Sequence, residues 1–277
     1  YLYGCNINWN LELLTNIQTP FSVDNFFGLG NESTHDFKNR PIDYYRSRFE
    51  NNLFRAPLSH PLGDFGKVSI GAQHQGFEVE NRTGRFLNQT DAGGLNTQDL
   101  FENRRFYTGL YTGFQFDSRD NILVTTRGVF FWNNEFVSAK GLNDFSSDLN
   151  KFSSELSMYY SFKYPNAITL ASRTGFAHNF GQFEFYNANK LGGISNLRGF
   201  RRTRFYGQTS FYQNFDLRIK LFSFKSYLLP GSIGIVGFYD LGRVWLEGEQ
   251  SDKWHNGTGG VIWISPLGKA VLSFNVA

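Results

Sequence analysis

The sequence is short of most of what builds soluble enzymes. Its one cysteine, Cys5, leaves no internal disulfide and reads most simply as a small strand residue. No stretch approaches the roughly 18 consecutive apolar residues of a membrane helix, and there is no charged-then-apolar leader at the start. No helix-spaced pattern of useful length occurs either. The net charge of +3 is too near neutral for nucleic acid to be the main partner.

Catalytic and metal signals are missing as well. His35, His60, His74, His178 and His255 are scattered without metal-ligand spacing. "GLGNES" from Gly28 lacks the third glycine of a dinucleotide loop and sits in no βαβ unit, so it reads as a turn. No nucleophile elbow or His-Glu-x-x-His pattern occurs. Asp117, Asp120 and Asn121 have the wrong spacing for a calcium loop and read as a polar turn. The Asn-x-Ser/Thr sites at Asn31, Asn81, Asn88 and Asn256 mark exposed loops. The expectation is a non-enzyme with no catalytic residue, metal or cofactor.

What the chain has is aromatics, glycine and alternation. There are 31 Phe, 14 Tyr and 29 Gly against seven Pro, a profile suited to strands and their turns. In "ELSMYYSFKY" one face carries Leu156, Met158, Tyr160, Phe162 and Tyr164, and the other Glu155, Ser157, Tyr159, Ser161 and Lys163. In "FYQNFDLRIKL" one face is Phe211, Phe215, Leu217, Ile219 and Leu221, interrupted only by Gln213, and the other is Tyr212, Asn214, Asp216, Arg218 and Lys220. Strand spacing separates these sets, whereas helical spacing would mix them.

Eleven strands are expected, at 5–16, 42–54, 67–79, 105–118, 127–137, 151–163, 167–178, 209–223, 232–246, 258–265 and 269–277. Their connections alternate between long ones (18–41, 80–104, 138–150, 179–208, 247–257) and tight ones such as "RAPLSHPLGDFG", "YPN" and "SPLG". Long loops at one end and tight turns at the other describe an outer-membrane barrel, with the loops extracellular and the turns periplasmic. A soluble β-sandwich alternates too, but its strands are usually shorter. Aromatics at the strand ends, as in "SMYYSFKYP" and "VGFYDLGRVW", suit interfacial girdles. The reading is an all-β fold, a transmembrane antiparallel β-barrel. Closed bacterial barrels normally have an even strand count, and an open edge in lipid leaves backbone groups unpaired. Eleven strands are therefore expected to be part of a larger barrel.

Several stretches in the last ninety residues carry a family pattern: "LGGISNLRGF", then "NFDLRIKL", "GFYDLGRVW" and "GTGGVIWISPLGKAVLSFNVA". Their order resembles the carboxy-terminal barrel of the BamA/TamA superfamily of outer-membrane assembly and translocation proteins, the bacterial surface antigen family. "FDSRDN…TTRG" at 116–128 resembles one of its mid-barrel turns, and "NFFGLGNES" with "YYRSRF" resembles Bacteroidetes-type members. The resemblance implies a sixteen-strand barrel of which residues 1–277 supply the fifth to fifteenth strands, without the first four, the closing strand or a periplasmic POTRA domain. It implies a multi-pass protein of the Gram-negative cell outer membrane that assists insertion of other barrel proteins. Its partners would be unfolded outer-membrane clients, outer-membrane lipid and lipopolysaccharide, and accessory assembly lipoproteins.

In the family, the loop matching 179–208 folds into the lumen and its arginine meets acids on the inner wall. That makes Arg198, Gly199 and Phe200 the expected lumen plug, with Asp240 as inner-wall partner and Asp216 as second candidate. For Arg201, Arg202 and Arg204, a lumen role and contact with lipopolysaccharide phosphates stand equally open. Two rival functions remain within the resemblance: a polypeptide translocation pore, and a membrane anchor for an amino-terminal lipase or metallophosphoesterase. A passive porin fits poorly with a plugged lumen.

Overall fold

The computed structural model describes residues 9–89, 100–139, 141–142, 148–162, 167–225, 230–267 and 270–277, without the side chains of 19–21. Cys5 and the start of the first expected strand lie outside the described residues, as do the loop at Asn143 and the tight turn at Asn166. The strands are β1 (Asn10–Leu11), β2 (Leu14–Asn25), β3 (Arg46–Leu62), β4 (Gly66–Val79), β5 (Arg105–Asp117), β6 (Gly128–Ser138), β7 (Asn150–Phe162), β8 (Ala167–Phe180), β9 (Asn189–Leu191), β10 (Phe205–Gly207), β11 (Thr209–Phe224), β12 (Gly231–Trp245), β13 (His255–Pro266) and β14 (Leu272–Val276). No helix is long and apolar enough to cross a membrane among the described residues.

All but β9 and β10 join one antiparallel sheet, ordered β1-β3-β4-β5-β6-β7-β8-β11-β12-β13-β14, with β2 also on β3. β1 and β2 form one row: Asn10 pairs with Ser59 and Leu14 with Arg55 in the same register. The break between them lies opposite Pro57, whose carbonyl accepts from Glu12 N at 3.0 Å but which has no N–H to return. No pairing joins the β1–β2 edge to β14 among the described residues, so the sheet is an open partial barrel.

The facing is sharply divided. Phe215, Leu217, Met158, Tyr160 and Leu170 are exposed on one side, with Tyr160 at 66%. Cross-strand registers such as Met158↔Ser172↔Phe215↔Tyr239 put these residues in rows on the same face. Gln213, the polar interruption in its strand, bonds sideways to Thr174 and Ser172, which satisfies its amide within the row. Arginine in place of Leu217 or Phe162 is expected to cost about 2–4 kcal/mol if this face meets lipid at mid-depth. Lower folding yield and loss of heat-modifiable gel migration would report it, and unchanged yields in both variants would reverse the facing.

The opposite face is polar and carries rings that lie over cross-strand glycines. A Cβ on Gly175 would overlap the Tyr212 ring, one on Gly259 would come within 2.6 Å of Phe238, and one on Gly234 would overlap the Trp263 ring. These pairs are direct register partners, so the missing side chain lets each ring lie flat on the wall.

Loops close over this inner face at the long-loop end. Phe26, Phe49, Phe77, Leu87, Leu100, Tyr107, Phe136, Phe185, Tyr186 and Tyr206 belong to one buried cluster drawn from strands β3 to β6, β10 and the loops between strands. Phe185 packs on Phe26 at 5.2 Å and edge-on to Phe49 at 5.8 Å, and Phe77 stacks on Tyr186 at 4.2 Å. The loop after β2 reaches the β12–β13 hairpin: Asn31 N donates to Glu249 at 2.8 Å and Asn31 Nδ2 to the Lys253 carbonyl at 2.9 Å. The two ends of the sheet thus curl toward each other beneath a shared cap.

Candidate functional site

The segment between β9 and β10 carries the arginine-rich stretch. Its fold starts from local bonds. Asn196 accepts from Gly192 N at 2.9 Å and donates to the Lys190 carbonyl at 2.9 Å, and Gly193 N donates to the Phe200 carbonyl at 3.0 Å. Leu191, Leu197, Phe205 and Val244 form a small buried core that fixes the loop on β12. Gly199 has φ of +89°, a conformation that other residues adopt only with strain.

This frame delivers Arg198 onto the inner face. Its backbone N donates to Asp240 Oδ2 at 2.8 Å and its Nε to the same oxygen at 2.7 Å. Its Nη2 reaches Asp240 Oδ1 at 2.5 Å and Asp216 Oδ1 at 2.8 Å. The guanidinium also sits 3.8 Å from the centroid of the Phe238 ring. Asp240, on β12, is fully buried, with 0% side-chain exposure. Asp216, on β11, is shared with Arg218, whose Nη2 donates to it at 2.8 Å. The four groups form an alternating row, Arg218–Asp216–Arg198–Asp240, in which each interior charge has an opposite charge on both sides. Burial works against the Arg198 charge, but its bonds to Asp240 and Asp216 outweigh this and hold its pKa above the ordinary value. Two nitrogens on one carboxylate make the planar fork matter, which a lysine would not reproduce.

The sequence-selected residues occupy different parts of this arrangement. Arg198, Asp216 and Asp240 meet directly. Phe200 packs on Phe205 at 5.5 Å and edge-on to His255 at 5.6 Å, above the charged row rather than in it. Arg204 lies under the cap, within 5.0 Å of the Phe27 ring and donating to Ser33 Oγ at 2.9 Å. Arg202 is largely exposed, 3.4 Å from Asp24.

Sequence reasoning did not single out Gly257, Phe238, Arg218 or Asn196. Gly257 pairs with Asp240 in the sheet, and a Cβ there would overlap the Arg198 carbonyl oxygen. The backbone of the loop therefore sits on Gly257 while the side chain reaches the neighbouring strand. The available signal was "GTGG" at 257–260, since glycine inside a strand often marks close backbone approach. Gly257→Ala is expected to lift the loop without removing a charge, costing about 1–3 kcal/mol as an overpacking change. Faster proteolysis within 192–204 would show it, and wild-type protease resistance would contradict the close seat.

The comparisons agree with this architecture. A search of curated proteins finds no match. Among solved structures, the chain is similar to the crystal structure of BamA from Haemophilus ducreyi lacking POTRA domains 1–3, with a TM-score of 0.65 and 14% identity. The alignment covers 96% of this chain and 55% of that one, so the chain spans about half the length of the structure it matches. That likeness is one of fold. The Omp85 superfamily domain model matches residues 6–277, nearly the whole length, and the chain belongs to the Omp85 superfamily.

Proposed function

We propose that this chain is the membrane barrel of a protein that assists the insertion and folding of other outer-membrane proteins. The observation that carries the reading is the occupied inner face: a loop latched at Arg198 and an aromatic cap above it. Such a filled interior suits a barrel that works at its edges better than one that conducts solutes. An unpaired strand edge offers a row of N–H and C=O groups on which a client strand can template. On this reading residues 1–277 correspond to the fifth to fifteenth strands of a sixteen-strand barrel, and the outer membrane's lipid, lipopolysaccharide and assembly lipoproteins are its partners.

The test reconstitutes the protein in liposomes and adds a urea-unfolded porin. Acceleration of porin folding of about tenfold or more is expected over empty liposomes, and Arg198→Ala should lose most of it. No acceleration, together with protease-protected delivery of a soluble passenger into the lumen, would favour polypeptide translocation instead. A hydrolase motif upstream of Tyr1 would favour the anchoring reading.

A further inference from the structure

The outer face of β3 and β4 holds a cluster that neither the latch nor the cap uses. Even-numbered residues of β3 share the outward face, from Leu62 through Leu58 and Phe54 to Asn52, and then Arg48 and Arg46. From Leu62 to Asn52 the strand covers about 33 Å of length, which at a tilt of about 40° is roughly 25 Å of height, the thickness of a barrel's apolar band. Arg48 and Arg46 therefore stand just beyond that band on the long-loop side.

Arg82 and Arg85, on the loop after β4, converge with them on one crease. The acids present do not match these cations. Asp43 takes Arg46 at 2.8 Å and, through its carbonyl, Arg85. Glu80 Oε2 lies 3.9 Å from Arg48 Nε, too far for a hydrogen bond, and both atoms are buried without another partner. Arg82 is exposed and pairs with no carboxylate among the described residues. Lower on the same face Glu50 is held by Arg104 at 3.3 Å, with Glu78 beside it. Four guanidiniums line the crease with one acid, Glu80, and Asp43, which holds Arg46 and Arg85, adds a second beside it. The loose Arg48–Glu80 pair and the unpaired Arg82 leave guanidinium capacity that the acids of the crease do not take up.

We propose that this crease binds the phosphate of a lipid headgroup in the leaflet at the long-loop end. Arginine forks match phosphate oxygens in pairs, and the depth places them level with headgroups rather than in bulk water. The inference rests on the outer-membrane reading proposed above, with the long loops facing the cell exterior as their lengths imply, and under it the ligand is a phosphorylated glycolipid.

Thermal unfolding of the purified protein in a neutral detergent tests it, with four additives compared: bis-phosphorylated lipid A, dephosphorylated lipid A, phosphatidylcholine and inorganic phosphate. The midpoint is expected to rise by several degrees with bis-phosphorylated lipid A alone. Arg82→Gln, an exposed change that leaves the fold intact, should remove at least half of that rise, and Arg48→Gln combined with it nearly all. Arg201→Gln with Arg202→Gln should leave the rise unchanged. Equal rises with dephosphorylated lipid A, an undiminished rise in Arg82→Gln, or the same rise from inorganic phosphate would each overturn the site. The folding assay above separates the two proposals. A lost lipid response with intact porin folding counts against the crease alone, and the reverse counts against the assembly reading alone.

Discussion

Asp240→Ala is expected to destabilise the loop by about 3–5 kcal/mol before water is taken into account, because it strands the Arg198 guanidinium away from bulk solvent. Water reaching the inner face will lower that figure. The loss is specific: three of the four bonds that Arg198 makes to carboxylates end on Asp240. Arg198→Ala should cost a similar amount, since it leaves Asp240 buried and unpaired. The double variant should cost far less than the sum, because the two residues act as one unit. Arg198→Lys should restore the charge without the fork and recover only part of the loss. Asp216→Ala should have a smaller effect, since Asp216 is shared with Arg218 and receives one of the Arg198 bonds. The measurement is protease sensitivity of residues 192–204 across the full cycle, with porin folding read in parallel. Additive costs would mean that Arg198 and Asp240 do not interact.

Phe185→Ala is expected to cost about 3–5 kcal/mol of cap stability. Phe185 is fully buried and touches the ring of its neighbour Tyr186 and rings from two distant parts of the chain, Phe26 and Phe49. Its loss opens a cavity where the loop after β2 meets the segment before β9. The barrel wall should persist, because none of its strand pairing runs through this residue. The expected readout is a rise in single-channel conductance in planar bilayers, with heat-modifiable migration retained. Conductance equal to that of the wild type would mean that the cap does not close the interior. Phe185→Leu should be far milder, since most of the apolar volume remains.

Most of the wall was legible in the sequence, because period two is imposed by having two different solvents on its two faces. The rows from β4 to β13 lie within about three residues of their expected bounds. The misreadings cluster at prolines. "RAPLSHPLG" reads as a turn, yet β3 runs through Pro57 and Pro61 to Leu62. Pro57 is accommodated by an interruption in the partner strand, a compensation invisible from β3 alone. The first row likewise extends to Asn25 past Pro20, through a shift between Gln18 and Ser22.

The site was legible in a different way. Asp216 declares itself by sitting on the polar face of its strand, and Asp240 as a lone acid in "GIVGFYDLG". Arg198 could be told from Arg201, Arg202 and Arg204 only through family resemblance, since four arginines in seven positions look alike. What separates them is tertiary: Arg198 falls opposite two acids, Arg204 between Phe27 and Phe205, and Arg202 toward solvent. Gly257 carried only the general signal of a glycine inside a strand; its partner is a backbone atom about sixty residues away, and the residue type alone does not say which segment approaches it.

The segment from Leu191 to Tyr206 belongs to two bodies at once. Its middle is held by the wall through Arg198, while its end enters the cap, where Tyr206 is fully buried and its carbonyl accepts from Gly30 N at 2.7 Å. A force or a ligand that displaces the cap from outside is therefore transmitted to the charged row on the wall, and a disturbance of the row returns to the cap by the same path. Such linkage is reciprocal by thermodynamic necessity. An antibody that binds only the open cap should weaken the Arg198 latch by the same factor by which Asp240→Ala strengthens that antibody's binding.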